Sequence, residues 1–294
     1  MHAPTQPTAG PRRPARLRRF VRSRAGRVAL VLFALALGWL AWAAAEPFFV
    51  TVADYRFASS AVPSHFDGVR IAFLADVHRG PYMWQSRLHS IIDRVNNLKP
   101  DLIVLGGDYV HLSGRYIAPA FAELARLHAP LGVYGVLGNH DHWEGAGQTR
   151  RAMARAGIVD LDNRAVWVWL GADRIRLGGV GDLQTDTQDL GPTVRETRTA
   201  DFVVLVSHNP DYNARVPAGS VDLMLAGHTH GGQLTFFGRW APFVPSKYGQ
   251  RYRSGLVKAG PVPIIISNGV GTTTPPLRFF ARPQIVLVTL ARSR

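Results

Sequence analysis

Cysteine is absent from the 294 residues. That excludes a disulfide framework, thiolate zinc fingers, Fe–S clusters and a Cys nucleophile. Any bound metal must be held by His, Asp, Asn or Glu. Charged residues make up only 18% against 47% hydrophobic, a globular composition that excludes a disordered or collagen-like chain. There is no Pro/Ser-rich linker, no low-complexity stretch and no internal repeat. Acid is missing from the first 27 residues, which hold eight arginines: Arg12, Arg13, Arg16, Arg18, Arg19, Arg22, Arg24 and Arg27. The net charge is +14, and the remaining 26 basic and 20 acidic residues leave only +6, so most of the excess belongs to this tail.

An uncharged apolar run, Val28 to Ala45, follows the arginines and ends at Glu46. Its length as a helix is roughly 27 Å, close to the roughly 30 Å of a bilayer core. Trp39 and Trp42 stand toward its far end, where indoles favour the interface. Arginines before the span and none just after it predict a single-pass anchor in the cytoplasmic (inner) membrane, with the main body on the extracytoplasmic side. A cleaved signal peptide ending at Ala43-Ala44-Ala45 is an alternative, as is a buried hairpin or core helix. Arg18-Arg19 fits a twin-arginine signal poorly, given Phe20, Val21 and Arg22 after it. A nucleic-acid-binding arm explains the arginines less well than the adjoining span does, so no specific nucleic acid is expected. The expected organisation is a basic tail over 1–27, an anchor or signal segment over 28–45, and one domain over 46–294.

In the body, short apolar runs recur at Val69–Ala75, Leu102–Leu105, Val133–Leu137, Ile175–Val180, Phe202–Val206, Leu223–Ala226, Ile264–Ser267 and Ile285–Leu290. Several are continuously apolar, as strands covered on both faces are. Leu88, Ile91, Ile92, Val95 and Leu98 keep a helical period, as do Phe121, Leu124, Ala125 and Leu127. The alternation predicts α/β layers, with two stacked sheets and helices outside.

Five of these runs end in groups able to hold a metal. They are followed by Asp76-Val77-His78, Gly106-Gly107-Asp108, Gly138-Asn139-His140-Asp141, Ser207-His208 and Gly227-His228-Thr229-His230. Sites assemble at the carboxyl ends of strands in layered α/β folds. Each block alone is a common turn sequence; their recurrence at successive strand ends is the signal. The i, i+2 pairs Asp76/His78 and His228/His230 share a face if the chain is extended. An N/O donor set of carboxylates and imidazoles suits Zn, Mn or Fe rather than Ca or a lone Mg. Seven donors exceed one tetrahedral ion and suit two divalent ions sharing a carboxylate, an arrangement that activates water for phosphoester hydrolysis.

At these residues the chain resembles the calcineurin-like metallophosphoesterase family. The blocks run in the family's order, with 32 residues from Asp76 to Asp108 and 31 from there to Asn139. Gly231-Gly232-Gln233 and the stretch from Gly271-Thr272 through Pro276, Leu277-Arg278-Phe279 and Pro283 resemble a branch of membrane-anchored bacterial phosphodiesterases that includes UDP-2,3-diacylglucosamine hydrolases. The resemblance covers nearly all of residues 67–290. It implies a four-layer α/β/β/α sandwich, here preceded by one N-terminal transmembrane helix. It implies that Asp76, His78 and His230 hold one metal, that Asn139, His208 and His228 hold the other, and that Asp108 bridges. His140 would act as general acid while an activated hydroxide attacks phosphorus in line, and Asp141 would orient His140. His111 stands where purple acid phosphatases place a Tyr ligand, so an iron–tyrosinate centre is not expected.

The expected activity is that of a phosphodiesterase or pyrophosphatase acting at a membrane on a lipid-linked phosphoester such as UDP-2,3-diacylglucosamine. A periplasmic phospholipid or nucleotide phosphodiesterase is the alternative, and a non-catalytic metal-bound scaffold is the alternative of another class. Arg278 meets a substrate phosphate or is a solvated surface charge. His142 reads as an exposed loop residue. Trp143, Phe236, Phe237 and Trp240 line an apolar wall for a lipid or nucleobase, or pack in the core, which is the default for such residues.

Overall fold

The computed structural model describes residues 23–293. Most of the arginine tail, from Arg12 through Arg22, lies outside the described residues. Helix α1 (Arg24–Ala45) is continuous over 22 residues, and Ser23 Oγ accepts from Gly26 N at 3.0 Å at its start. It is long and apolar enough to cross a membrane, a test that a signal sequence also passes.

From Ala44 onward the chain forms a separate compact unit. Its strands are β1 (Thr51–Ser59), β2 (Arg70–Leu74), β3 (Leu102–Leu105), β4 (Val133–Gly135), β5 (Val159–Asp160), β6 (Arg164–Leu170), β7 (Asp173–Gly179), β8 (Val203–Val206), β9 (Leu223–Ala226), β10 (Gly255–Val257), β11 (Ile264–Ile266) and β12 (Gln284–Arg292). Its helices are α2 (Gln85–Asn97), α3 (Ile117–Leu124), α4 (Asn139–Arg155) and α5 (Gly191–Val194). The strands make two six-stranded sheets, ordered β1-β12-β2-β3-β4-β5 and β10-β11-β9-β8-β7-β6.

The period-2 alternation of each buried strand divides its side chains between two layers. Ile71, Phe73, Leu102, Val104, Val286 and Val288 of the first sheet meet Val204, Val206, Leu223, Leu225 and Ile265 of the second. The alternate residues Ala72, Leu74, Ile103 and Leu105 face outward and pack with Leu88, Ile92 and Val95 of α2 and Phe121 and Leu124 of α3. On the far side, Leu205, Met224, Ile264 and Ile266 are covered by Tyr212, Val216 and Tyr252. Two sheets with helices against the first agree with the layered expectation. The second outer layer is thin: it consists of the four-residue α5 and 3₁₀ turns at Pro210–Arg215 and Gly249–Tyr252.

Neighbours β2, β3 and β4 are parallel, as are β7, β8, β9 and β11. Their carboxyl ends therefore lie along one edge of each sheet. Those two edges hold the site.

Candidate metal centre

The expected donors lie just beyond the ends of β2, β3, β4, β8 and β9. The β2–β3 pairing carries past the strands through Asp76 N→Gly107 O at 3.0 Å and His78 N→Asp108 O at 2.9 Å. Five of the seven donors have left-handed backbones: Asp76 (φ 53°), His78 (48°), Asp108 (56°), His228 (69°) and His230 (52°). Residues bearing a Cβ avoid this region, and strain of this kind gathers at functional sites. Two glycines make room for the carboxylates. A Cβ on Gly138 would stand 2.2 Å from Asp108 Oδ1, and one on Gly227 would stand 2.5 Å from Asp76 Oδ2.

All seven donors converge, and all are buried. His78 Nε2 lies 3.0 Å from His230 Nε2, and His230 Nε2 lies 3.5 Å from Asp76 Oδ1. His208 Nε2 lies 3.2 Å from both Asn139 Oδ1 and His228 Nδ1. Asp108 Oδ2 stands between the two sets, 3.5 Å from His78 Nε2 and 3.2 Å from His208 Nε2. His208 Nδ1 lies 2.8 Å from Gly106 O, which calls for the N–H on that nitrogen and turns Nε2 toward the centre.

The charges fit a cation site. Burial pushes the Asp76 carboxyl up to about 7. Burial also opposes the Asp108 charge, but His208 outweighs it and holds that carboxyl well below the usual range. His208 is raised well above an ordinary imidazole by Asp108, against its own burial. Burial keeps His78 and His230 neutral and brings His228 down to about 4. Two lone-pair nitrogens 3.0 Å apart, as in His78 and His230, require a proton or a cation between them. The donor set is therefore one that could hold divalent metal.

Metal uptake should follow pH accordingly. Each cation displaces protons, from His208 throughout the neutral range and from Asp76 below about pH 7. Raising the pH removes those competitors and tightens binding. Apparent affinity is expected to rise about tenfold per pH unit for each proton displaced, with a steeper slope below pH 7 than above. Competition against a chelator with Mn²⁺ or Zn²⁺ measures it, and an affinity flat from pH 6 to 8 would contradict this account of the donors.

Four expectations meet a different structure. Asp141 is fully buried, but its carboxylate accepts from the backbone N–H of Asp108 (2.8 Å), Tyr109 (2.9 Å) and Gly138 (2.9 Å). It ties the β3 loop to the start of α4 and holds Asp108 in place; the imidazole of His140 is not its partner. Arg278 is also fully buried, which excludes a solvated surface charge. Its Nη1 donates to Ala281 O at 2.6 Å, and its Nη2 donates to Asn268 O at 2.7 Å and Gly271 O at 2.5 Å, stapling the 268–281 segment behind His230. Burial lowers it to about 9. His142 is half-buried on α4, 3.6 Å from Asp186, within a set of carboxylates already paired by Arg150. Trp143, Phe236, Phe237 and Trp240 are exposed, so none of them packs in the core.

Sequence reasoning missed two partners. His111, three residues after Asp108, places its Nδ1 3.3 Å from His140 Nδ1 and its Nε2 3.3 Å from Thr274 Oγ1. Burial and His140 bring it down to about 4, so it is neutral. Asp182 is fully buried, and Asp182 Oδ1 has no hydrogen-bond partner among the described residues. It follows β7 in a Gly-Asp pair, so the strand-end pattern that marked Asp108 marks it too.

Residues 69–232 match the calcineurin-like phosphoesterase family. The uncharacterized metallophosphoesterase YkuE of Bacillus subtilis is 32% identical over 83% of this chain and 87% of its own length. An uncharacterized metallophosphoesterase of Aquifex aeolicus is 31% identical over 83% and 93% respectively. The phosphodiesterase YaeI of Escherichia coli is 34% identical over 75% and 82%. The chain belongs to the calcineurin-like phosphoesterase family. Within that class it is a metallophosphoesterase, a hydrolase of phosphoesters.

Proposed function

We propose that the chain is a binuclear phosphodiesterase in which His140 protonates the leaving oxygen. The observation that carries this reading is the position of Asp108, whose Oδ2 lies within 3.5 Å of imidazoles from both donor sets. Asp76, His78 and His230 would hold one ion, Asn139, His208 and His228 the other, and Asp108 both. Mn, Zn or Fe suits these donors. Bound there, two divalent ions would supply an activated water and offset charge on the phosphoryl oxygens.

The chain's own groups do the rest. The backbone N–H of His140 donates to Asp108 Oδ1 at 2.8 Å, which fixes the first turn of α4 against the bridging carboxylate. The His140 ring stands 4.8 Å from the His78 ring, beside the donor sets. Neutral His111, with its Nε2–H on Thr274, offers its Nδ1 lone pair to His140 Nδ1–H. That orients His140, and in the imidazolium form its Nε2–H supplies the proton to the departing oxygen, leaving the neutral Nδ1–H ring.

A cavity of about 260 Å³ opens beside His230, lined by Leu234, Pro242, Phe243, Pro245 and Pro275. It supports a substrate with an apolar substituent next to its phosphate: a phospholipid if the body lies outside the cytoplasm, or UDP-2,3-diacylglucosamine, a cytoplasmic nucleotide sugar, if it faces inward. We place the body outside the cytoplasm behind a single-pass α1, on the arginine asymmetry alone. The test is hydrolysis of bis-p-nitrophenyl phosphate, a p-nitrophenyl monoester, UDP-2,3-diacylglucosamine and a phospholipid after reconstitution with Mn, Zn or Fe. Diesters are expected to exceed the monoester at least about tenfold in kcat/KM, a difference of about 1.4 kcal/mol. A preference for the monoester, or no metal dependence, would overturn the reading.

A further inference from the structure

The loop after the His228–His230 block carries Phe236, Phe237, Trp240 and Phe243 at 60, 77, 49 and 71% exposure, and Phe280 beside it is 45% exposed. Phe236 stacks on Trp240 with ring centroids 5.5 Å apart, and Phe237 on Phe280, also at 5.5 Å. Water does not favour such a patch, and contiguous exposed aromatic surface marks an interaction site. Phe237 and Phe280 hold left-handed backbones, φ 51° and 52°. Glycine or asparagine would relieve that strain, and the outward rings gain no core packing in return. The loop is nonetheless pinned: Thr235 Oγ1 donates to Phe279 O at 2.9 Å, and Arg253 Nη2 donates to Gly238 O at 2.7 Å.

Two further observations identify the occupant. Glu46 directly follows the last residue of α1, and its buried carboxylate accepts from Phe280 N at 2.9 Å and Ala281 N at 2.8 Å. Chain connectivity therefore puts Phe280 next to wherever the apolar helix leaves a bilayer. The charge agrees. After Asp222 the chain has no acid, yet it carries nine basic residues, among them the exposed Arg239 and Lys247 that flank the aromatic tip. Aromatic rings at headgroup depth with cations beside them suit an anionic bilayer surface.

The geometry points to the Phe236–Phe243 loop, with Phe280, as a second membrane contact that seats the mouth of the site on anionic phospholipid. The cavity lined by Leu234 and Phe243 runs from this rim to His230, so an amphiphile in the bilayer reaches the donors without first leaving the lipid. This last step rests on the phosphodiesterase reading above.

Because the chain has no cysteine, Phe237→Cys and, as a remote exposed control, Glu196→Cys each give one labelling site. The full chain, labelled with an environment-sensitive fluorophore, is reconstituted into vesicles of phosphatidylglycerol and phosphatidylethanolamine. The label at 237 is expected to shift to the blue and to be quenched at least about twofold by spin-labelled lipid, while the label at 196 does neither. A label at 237 that stays open to aqueous iodide overturns the proposal. So does one shielded from iodide yet untouched by lipid-borne quencher, which would mean a second copy of the chain covers the loop. Turnover of bis-p-nitrophenyl phosphate is measured in the same vesicles with the unsubstituted protein. Its absence in the unsubstituted protein would refute the hydrolytic reading and leave the fluorescence result standing.

Discussion

Replacing His140 with alanine is expected to lower hydrolysis of an alkyl phosphodiester by about 100-fold or more, the scale of losing a general acid and about 2.7 kcal/mol of barrier. Two ions per chain should remain, because the imidazole stands outside both donor sets while the backbone N–H that holds Asp108 survives the substitution. The loss should shrink on bis-p-nitrophenyl phosphate, since nitrophenolate departs without needing a proton. That contrast separates proton donation from binding. An equal loss on both substrates would remove the acid role. Loss of a metal ion would instead make His140 a ligand, which the nearness of His78, His111 and His140 makes a concrete alternative.

Asp108→Ala is expected to be more severe: neither ion is retained, and turnover falls with them below detection. Among the described residues, Asp108 Oδ2 is the carboxylate oxygen within 3.5 Å of imidazoles from both sets. Its removal also strands a raised, buried His208 without its counter-charge, and leaving one buried charge unpaired is strongly destabilising. Elemental analysis of the purified variant reads the metal content directly. Asp108→Asn keeps the shape and separates loss of charge from loss of fold. If Asp108→Ala still carried two ions per chain, the shared-ligand assignment would be wrong.

The donors could be read from the sequence because each stands where an unbroken apolar run stops. Leu102–Leu105 and Leu223–Ala226 form strands over those residues, and Asp108 and His228 follow after only glycine. Strands with one wet face were harder to see. β1 carries Asp54 and Arg56 between apolar residues, and β6 alternates Arg, Val and Trp, so neither forms a continuous apolar run. The Phe121–Leu127 pattern gave a helix displaced in sequence: α3 starts at Ile117, where Pro119 is tolerated in the first turn, and ends at Leu124. Asn139-His140-Asp141 reads locally as a turn. It opens a helix because Asp141 gathers the loose N–H groups of two loops, a partnership between residues 33 apart that no local pattern carries. Arg278 escaped for the same reason, since only the folded chain brings five carbonyls to one guanidinium.

β12 lies between β1 and β2 and pairs with β1 in parallel from Thr51↔Gln284 to Ser59↔Arg292. The strand that delivers Asp76 and His78 thus has β3 on one side and, on the other, a strand from far downstream in the sequence. Without β12, β1 is cut off from the sheet and β2 is left with an open edge. Placing the first two donors therefore depends on a contact of high sequence separation, the kind whose loop-closure cost slows folding.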